Sequence, residues 1–359
     1  MALVVDADAH MIEGTPFAIE ALERWPEKVR VVETDGGVPG ITIEGRRYPE
    51  STGPGAGCPP DWGMNTAEGI DPSTVEGMLR DADREGIDRM VLYPSLGIAI
   101  PGFEDPVFGG EIARLYNHFI GDWCRDSDGR LFGVGVVPIE DVDQSVAMLG
   151  EIVEKGLVAV MLPPALRDRN LDHPDLDPFY ASAAEAGLPL GIHGAPGVHL
   201  PKIGVDRFDN YIQVHCISFP FDQMAAMTAL VSGGVFERHP SLKVAFLEAG
   251  VGWAPYFLER MHEHFEKRGD WIEGGWKRPP REYLERGQIW VSCEPEEAML
   301  PAVVDELGRD FIMYASDYPH WDSDFPESSG PLRERPDIDE ATREAILGGN
   351  AARLYGLNQ

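Results

Sequence analysis

Short apolar runs recur along the whole chain, and segments with helical periodicity follow most of them. Because these runs are apolar on both faces, they are typical of strands buried within a parallel sheet. The predicted strands are LVVDAD near the start of the chain, RMVLYP (89–94), LFGVGVVP (131–138), LVAVMLPP (157–164), LPLGIHG (188–194), LKVAFLEAG (242–250), QIWVSCEP (288–295) and FIMYASDYP (311–319). Eight strands in alternation with helices predict an α/β fold, a (β/α)8 barrel.

Start and stop signals for helices lie between the apolar runs. Residues 71–73 (Asp-Pro-Ser) precede TVEGMLRDADREG, and residues 175–178 (Asp-Leu-Asp-Pro) precede FYASAAEAG, which ends at Gly187. Short polar side chains and proline favour the first turn of a helix, and glycine favours the position after the last turn. The pattern therefore predicts helices that connect consecutive strands.

Two stretches interrupt this alternation. Residues 26–70 follow the first strand, are rich in glycine and proline, and contain no single helical pattern. Long loops inside compact domains usually serve a function, so we interpret this stretch as an inserted arm or lid over the barrel mouth. Residues 195–222 form a second long excursion, after the fifth strand. Since no internal repeat or low-complexity tract is visible, the sequence predicts one domain over residues 1–359.

The composition fits this prediction and argues against several kinds of partner. With 359 residues, 43% of them hydrophobic, the chain can bury a large core. It has 61 acidic and 30 basic residues, a net charge of −31, which repels nucleic-acid phosphates and anionic membranes. No apolar run reaches the ~18 residues of a membrane span, and no signal-peptide pattern opens the chain. We therefore expect a cytoplasmic protein with a small-molecule substrate and neither a nucleic-acid nor a membrane partner.

The first strand carries a regular polar pattern. In VVDADAH, Asp6, Asp8 and His10 occupy alternate positions, so their side chains point to one face of the strand. Further acids and histidines follow at the ends of later strands. These are His193 after strand five, Glu248 after strand six, Glu294 after strand seven and Asp317 after strand eight.

These strand-end side chains predict a metal site. In a (β/α)8 barrel the carboxyl ends of the strands converge on one mouth, where carboxylates and imidazoles would bind Zn²⁺, Mn²⁺ or Fe²⁺. Taken singly, His193 could be a hydrogen-bonded turn residue, and Asp317 could form the turn before Pro319. Together, however, they would bury several unpaired charged groups, and a cation offsets that cost.

Several motifs resemble one protein family. They are the Asp-x-Asp-x-His of residues 6–10, His193-Gly194, the run GGVFERHPSLKVAFLEAGVGW and the closing ASDYPHWD. They are similar to motifs of the amidohydrolase superfamily, in its branch related to aminocarboxymuconate semialdehyde decarboxylase. The similarity covers nearly the whole chain and is strongest over residues 190–356. Because proteins of this branch are often dimers, the resemblance also implies a homodimer.

The resemblance implies roles for individual positions. Asp8 and His10 match the first-strand metal ligands, and His193 matches the fifth-strand ligand. Asp317 matches the eighth-strand acid beside the metal-bound water. Two positions depart from the family pattern, because the first-strand pair is usually HxH or ExH, and Glu248 replaces the histidine that the decarboxylases carry after strand six. Strand four, VAVMLPP, contains no lysine, which excludes the carbamylated-lysine bridge of some binuclear members.

The departures favour hydrolysis over decarboxylation. An additional carboxylate raises the negative charge near the metal, which disfavours a bound carboxylate substrate and favours a second cation or a neutral acyl group. We therefore predict a metal-dependent hydrolase of an amide, ester or thioester, with a bulky hydrophobic substrate if aromatic side chains of the excursions line the pocket. One or two ions (Zn, Fe or Mn) would lower the pKa of bound water towards about 7. The predicted ligands are Asp8, His10, His193, Asp317 and Glu248.

Other side chains complete the predicted chemistry. Asp317 would take a proton from the water and pass it to the leaving group. His215 and His320 would polarise or anchor the substrate carbonyl, although an ordinary hydrogen-bonded loop histidine is an equally good interpretation of each. Glu13 would join the metal ligands or face the arm, and Glu294 would support a ligating imidazole.

Two alternatives remain open at the level of sequence. The same fold and ligands suit a non-oxidative decarboxylase of an aromatic or muconate-like carboxylic acid. The other alternative is an inactive barrel that binds a ligand without turnover. It predicts no stoichiometric metal, and the complete set of predicted ligands argues against it.

Overall fold

The computed structural model describes residues 2–13, 15–32, 40–50, 53–57, 65 and 67–357. Most of its strands coincide with the apolar runs of the sequence. In chain order the strands are β1 Val5–Met11, β2 Val29–Val32, β3 Gly40–Ile43, β4 Arg46–Tyr48, β5 Arg89–Pro94, β6 Leu131–Val136, β7 Ala159–Leu162, β8 Leu190–Ile192, β9 Val244–Phe246, β10 Ile289–Cys293 and β11 Ile312–Tyr314.

The strands form one large parallel sheet and one small antiparallel sheet. The large sheet has eight strands in the order β1-β5-β6-β7-β8-β9-β10-β11, which is their order along the chain. Its two edges meet, because the Asp317 amide after β11 donates to the Asp8 carbonyl at 2.9 Å and the His10 amide donates to the Tyr318 carbonyl at 2.6 Å. The predicted (β/α)8 barrel is therefore confirmed, with a strand at each of the eight predicted runs.

Helices pack around the outside of the barrel. They are α1 Thr15–Arg24, α2 Val75–Glu85, α3 Pro106–Arg125, α4 Val142–Glu154, α5 Asp177–Ala186, α6 Tyr211–Ser232, α7 Val235–Arg238, α8 Trp253–Arg268, α9 Pro280–Glu285, α10 Leu300–Leu307, α11 Ser329–Glu334, α12 Glu340–Glu344 and α13 Asn350–Leu354. Thr74, rather than the predicted 71–73 triplet, caps α2, since its hydroxyl accepts from the Gly77 amide at 3.0 Å. Gly187 ends α5 in the left-handed conformation, with φ of 70°.

The strands are buried on both faces, which explains their unbroken apolar runs. All four residues of β7, Ala159–Leu162, are buried, and so are all five of β10, Ile289–Cys293. One face packs into the barrel interior and the other under the surrounding helices. Polar side chains therefore gather where the strands end, at the barrel mouth.

Part of the predicted arm forms the small sheet. Strands β2, β3 and β4 pair in antiparallel order between Val29 and Tyr48. We call these three strands the arm sheet. The sequence offered no clear strand signal there, because the strands are short and half-exposed. The boundaries 26–70 for an inserted arm within a single domain stay a prediction.

The arm sheet is anchored to the loop that follows β8. The Glu50 amide donates to the Gly197 carbonyl at 2.9 Å. The His199 Nε2 lies 2.7 Å from the Arg47 carbonyl oxygen. A methyl group on Gly57 would lie 2.1 Å from the carbonyl carbon of Pro196, so the two segments touch backbone to backbone. The arm sheet is thus held against the mouth of the barrel.

The second predicted excursion, 195–222, is partly helical. Its last residues belong to α6, which begins at Tyr211 and carries His215. The Asn210 side chain accepts a hydrogen bond from the Ile212 amide at 3.0 Å and so caps this helix. Among the residues that the structure describes, no helix is long and apolar enough to cross a membrane.

Candidate active site

The two histidines predicted as ligands are oriented by backbone carbonyls. His10 Nδ1 lies 3.1 Å from the Pro94 oxygen, and His193 Nδ1 lies 3.0 Å from the Gly194 oxygen. Because a carbonyl oxygen can accept but not donate, each Nδ1 carries the proton, and each Nε2 presents a lone pair. Burial lowers the pKa of both imidazoles, which keeps them neutral. This is the form in which histidine binds a metal.

Asp8 lies between the two histidine nitrogens. Its Oδ1 is 3.8 Å from His10 Nε2 and 3.7 Å from His193 Nε2. Burial raises the pKa of the Asp8 carboxyl well above its ordinary value, and the charge of Asp317 adds to the effect. An ionised Asp8 therefore requires a compensating positive charge at this point.

Asp317 follows β11 in a left-handed backbone conformation, with φ of 55°. Its Oδ1 lies 3.1 Å from His10 Nε2 and 2.8 Å from His320 Nδ1. Burial favours the neutral acid, but the charge of the His320 imidazolium outweighs it and holds the pKa of Asp317 below its ordinary value. Burial also opposes a charge on His320, yet the Asp317 carboxylate raises the pKa of this imidazole. Asp317 and His320 thus form an ion pair.

Glu248 also has a left-handed backbone, with φ of 55° after β9. Its Oε2 lies 3.1 Å from His193 Nε2, and its Oε1 lies 3.9 Å from His215 Nε2. On the other side, His215 Nε2 is 3.6 Å from Asp322 Oδ2. Burial raises the pKa of Glu248 well above its ordinary value, and the charge of Asp317 raises it further. Glu248 therefore connects the predicted ligands to a second group of polar side chains.

Asp322 was not predicted from the sequence. Burial and the neighbouring Asp317 raise its pKa to about 7. The signal was present, because Asp322 ends the ASDYPHWD motif five residues after Asp317. It was overlooked because it follows the turn rather than a strand end.

The residues brought together fit a divalent cation. In each of three groups the ligand atoms lie within 4.8 Å of one another: Asp8, His10 and His193; His10, Asp317 and His320; His215, Glu248 and Asp322. The first two groups share His10. Several of their atoms are buried and have no hydrogen-bond partner in the part of the chain that the structure describes: Asp8 Oδ1, His10 Nε2, His193 Nε2, Glu248 Oε2 and Asp317 Oδ2. Buried polar atoms without partners are costly, and a cation bound among them would offset that cost.

Asp6, Glu13 and Glu294, which the sequence suggested as further polar residues of the site, lie outside these groups of ligand atoms. Asp6 accepts hydrogen bonds from the Ser316 amide, at 3.0 Å, and hydroxyl, and so ties β1 to the end of β11. The pairing register of β1 shifts between Asp6 and Ala9, as at a bulge, so the regular alternation of the strand is interrupted between Asp6 and His10. Asp6 therefore belongs to the hydrogen bonds that join the strand ends and not to the groups of ligand atoms.

Glu13 binds backbone rather than metal or arm. Its carboxylate accepts from the amides of Ser95 at 3.1 Å, Leu96 at 2.8 Å and Gly97 at 2.8 Å. Glu294 is exposed and makes no hydrogen bond to an imidazole among the described residues.

A cavity of about 440 Å³ opens from these groups. His193, His215 and Glu248 line one end of it, with His320 and Asp322. The His215 ring packs against aromatic rings, with centroids 4.7 Å from Phe219 and 5.3 Å from Trp321. Most of the remaining lining is apolar and comes from α1, the arm sheet, the segment after β5 and the loop after β8. The site thus joins a polar, metal-binding end to an apolar chamber.

Similar proteins share both the sequence pattern and the fold. The chain is 28% identical over 286 residues to the 2-amino-3-carboxymuconate-6-semialdehyde decarboxylase of Dictyostelium discoideum, covering 78% of this chain and 76% of the relative. It is 26% identical over 295 residues to a gamma-resorcylate decarboxylase from Polaromonas, covering 78% and 87%. A solved dihydroxybenzoic acid decarboxylase from Polaromonas, with bound manganese and the inhibitor 2-nitroresorcinol, matches 100% of this chain and 98% of its own with a TM-score of 0.70 and 19% identity.

These relatives correct the predicted reaction. The expectation of amide, ester or thioester hydrolysis is wrong, since the curated relatives are decarboxylases. The error came from counting each carboxylate near the metal as a full negative charge. In the structure Asp317 is paired with His320 at 2.8 Å, and burial raises the pKa of Glu248. Part of the negative charge that was expected to repel a carboxylate substrate is therefore offset, by His320 beside Asp317.

A match to one family model extends over nearly the whole chain, from residue 5 to residue 357. This range contains the eight barrel strands and every side chain at the polar end of the cavity. The chain therefore belongs to the amidohydrolase family.

Proposed function

We propose that this protein is a metal-dependent, non-oxidative decarboxylase of an aromatic or muconate-like carboxylic acid. The observation that carries the proposal is the group of unpartnered ligand atoms on Asp8, His10 and His193, in a chain whose curated relatives are decarboxylases. His193 of this group lines one end of the cavity. A carboxylate needs a positive centre to bind, and an apolar cavity suits the rest of such an acid.

Four side chains hold one divalent cation in this proposal: Asp8, His10, His193 and Asp317. When bound there, the cation supplies positive charge that attracts the substrate carboxylate and stabilises negative charge on a neighbouring oxygen. Manganese is the first candidate because the Polaromonas structure contains it, and zinc and iron also suit two imidazoles with two carboxylates. Glu248 lies with His215 and Asp322 in a separate group, and we assign it to the wall of the substrate site.

The Asp317–His320 pair supplies the proton that the reaction consumes. Its two side chains are 2.8 Å apart, and His320 lines the cavity. The pair gives its proton to the substrate carbon that bears the carboxylate. The bond between this carbon and the carboxylate then breaks, its electron pair stays on the ring carbon, and CO₂ leaves. The pair regains a proton from solvent, so one proton is consumed in each turnover.

Glu248 and His215 orient the substrate in this scheme. Glu248 stands where the resemblance places a histidine in the decarboxylases, and its raised pKa favours the protonated form. A protonated carboxyl group donates a hydrogen bond to a substrate oxygen, as the N–H of a histidine would from the same position. The substitution therefore keeps a hydrogen-bond donor at this position.

The proposal is tested by supplying manganese-loaded protein with dihydroxybenzoates, 5-carboxyvanillate and muconate-type acids and measuring CO₂ release. In D₂O the product should carry one deuterium on the carbon that lost the carboxylate. Asp317→Asn protein with the same metal content serves as the control and should release CO₂ at least about 100-fold more slowly. If no acid loses CO₂, and the matching phenols gain no carboxylate in bicarbonate, the proposal is overturned.

A further inference from the structure

We infer that the acid that this enzyme decarboxylates carries an extended apolar substituent, which lies in the chamber between α1, the arm sheet and the segment Gly97–Gly102. The inference rests on the proposed function for the position of the carboxylate, at the metal-binding end of the cavity. It adds the chemical class of the rest of the substrate.

The chamber is large and apolar. The whole cavity, with its polar end, has a volume of about 440 Å³, within the range of ~300–1,000 Å³ that pockets for drug-sized ligands occupy, so a single-ring acid held at the polar end would leave much of it empty. Side chains from separate elements form its walls: Phe17 and Ala21 of α1, Val29, Ile41 and Ile43 of the arm sheet, and Ile98.

Charge is confined to one end of the cavity. His193, His215, Glu248, His320 and Asp322 line this polar end. Among the described lining residues, Glu13 is the one charged side chain elsewhere, and its carboxylate is occupied by three backbone amides at 2.8–3.1 Å. Away from the polar end, the described lining therefore offers no charged group that could bind a polar substituent. It offers instead a long apolar surface against which an alkyl chain is buried.

The walls of the chamber are preformed. The arm sheet is fixed to the loop after β8 through Glu50 and Gly197, at 2.9 Å. Behind it, Tyr48 packs edge-on against Phe103 with ring centroids 5.5 Å apart, and Phe103 stacks on Phe108 at 5.3 Å. Because these contacts hold the space without a ligand, an apolar substituent enters it at little cost in ordering the protein.

The first experiment measures binding without turnover. Manganese-loaded protein is titrated by calorimetry with 5-alkylresorcinols from methyl to pentyl, which are analogues of a decarboxylated product. Burial of one methylene group strengthens binding about fourfold, so the Kd should fall by about that factor for each added carbon. A Kd that does not change with chain length would overturn the inference.

Two variants test where the alkyl group of the ligand binds. Ala21→Phe and the half-buried Ala18→Phe each place a ring in the chamber, and two positions are used in case one variant does not fold. In each folded variant the ratio of the methyl to the pentyl Kd should collapse towards one. Ala181→Phe, at an exposed position of α5, is the matched control and should keep the wild-type ratio. Wild-type ratios in both chamber variants would refute this location.

A parallel assay separates this inference from the proposed function. Hydroxybenzoic acids that carry the same alkyl series are assayed for CO₂ release, and kcat/KM is compared along the series. If the Kd depends on alkyl length but no acid releases CO₂, the proposed function is overturned and an apolar ligand is supported. CO₂ from the shortest acid with no dependence on chain length in either assay supports the proposed function and overturns the inference.

Discussion

At the scale of single residues, the site is organised by the partners of its imidazoles. His10 and His193 each place Nδ1 against a backbone carbonyl and Nε2 towards Asp8. His320 instead points Nδ1 at Asp317 and becomes half of an ion pair. The same side chain thus has two functions, and the atom next to Nδ1 decides which one. Beside a carbonyl oxygen the imidazole stays neutral and can bind a metal, whereas beside a carboxylate it becomes a positively charged imidazolium.

The first prediction concerns His193. We expect His193→Ala to weaken manganese binding by more than the ~10–100-fold that the loss of an outer-shell partner costs, because it removes a directly ligating nitrogen. Metal content after dialysis, measured by elemental analysis, checks this expectation. His118→Ala, which removes an exposed histidine of α3, should leave the metal content unchanged. Full occupancy in the His193 variant would place the metal elsewhere.

The second prediction concerns the proton. Asp317→Asn should lower kcat by about 10²–10⁴-fold, since an amide cannot form the ion pair that holds the transferred proton. Metal binding should largely persist, because two imidazoles and Asp8 remain. Single-turnover CO₂ release, together with elemental analysis of the same sample, separates the two effects. An Asp317→Asn enzyme with normal kcat would exclude this residue from proton transfer.

At the scale of elements, the arm sheet and α1 decide the shape of the cavity. The barrel provides the ligands, but the walls at the apolar end come from Val29, Ile41 and Ile43 of the arm sheet and from α1. The seating of the arm depends on close backbone contact at Gly57, where a methyl group would lie 2.1 Å from Pro196. A small change in the arm, which contributes no predicted metal-binding side chain, should therefore alter substrate binding.

The third prediction follows from that contact. Gly57→Ala forces the arm away from the loop after β8, and we expect about tenfold weaker binding of pentylresorcinol, as loss of one to two buried methylenes would cause. Metal content should stay normal. Gly150→Ala is the matched control, since no atom lies within 4 Å of the added methyl group and helix α4 tolerates alanine. Unchanged affinity in the Gly57 variant would show that the arm does not form the wall.

At the scale of the whole molecule, the acids of the site couple stability to pH. Without metal, burial raises the pKa of Asp8 and Glu248 well above the ordinary range, and that of Asp322 to about 7. The folded chain thus keeps protons that the unfolded chain has already released, and its free energy of unfolding falls as pH rises. The pKa of His320 is also raised in the folded chain, so this residue stabilises the fold fully below about pH 6.5. Above that pH its contribution is lost, which again lowers the free energy of unfolding as pH rises.

The opposite contribution is confined to lower pH. Burial lowers the pKa of His10 and His193, so these residues favour unfolding only where the unfolded chain protonates them, below about pH 6.5. Above that pH the acids and His320 act together. Each full proton by which the folded and unfolded states differ changes the free energy of unfolding by about 1.4 kcal/mol per pH unit.

The fourth prediction is that metal-free protein loses thermal stability between about pH 6.5 and pH 8, and that manganese raises Tm more at the higher pH. The metal replaces the protons and holds the carboxylates ionised. Scanning calorimetry with EDTA and with manganese, at both pH values, checks this expectation. Asp8→Asn should flatten the pH dependence of the metal-free protein. Parallel curves with and without metal would contradict the prediction.

Much of this protein followed from the sequence. The eight barrel strands were predicted because apolar runs of this length, covered on both faces, have few other stable arrangements. The convergence of Asp8, His10, His193 and Asp317 was predicted for a related reason, since the carboxyl ends of parallel strands in a closed barrel must share one mouth. Local pattern and topology were sufficient for both.

Tertiary structure alone decided the rest. Whether a carboxylate is paired, as Asp317 is with His320, depends on distances that no spacing along the chain reveals, and the mistaken hydrolysis prediction came from that gap. The chamber was equally hidden, because an apolar residue such as Ile41 or Ala21 looks the same in a sequence whether it packs against a core or faces a cavity. Sequence patterns record which side chains avoid water, whereas only the packed fold determines what each of them meets instead.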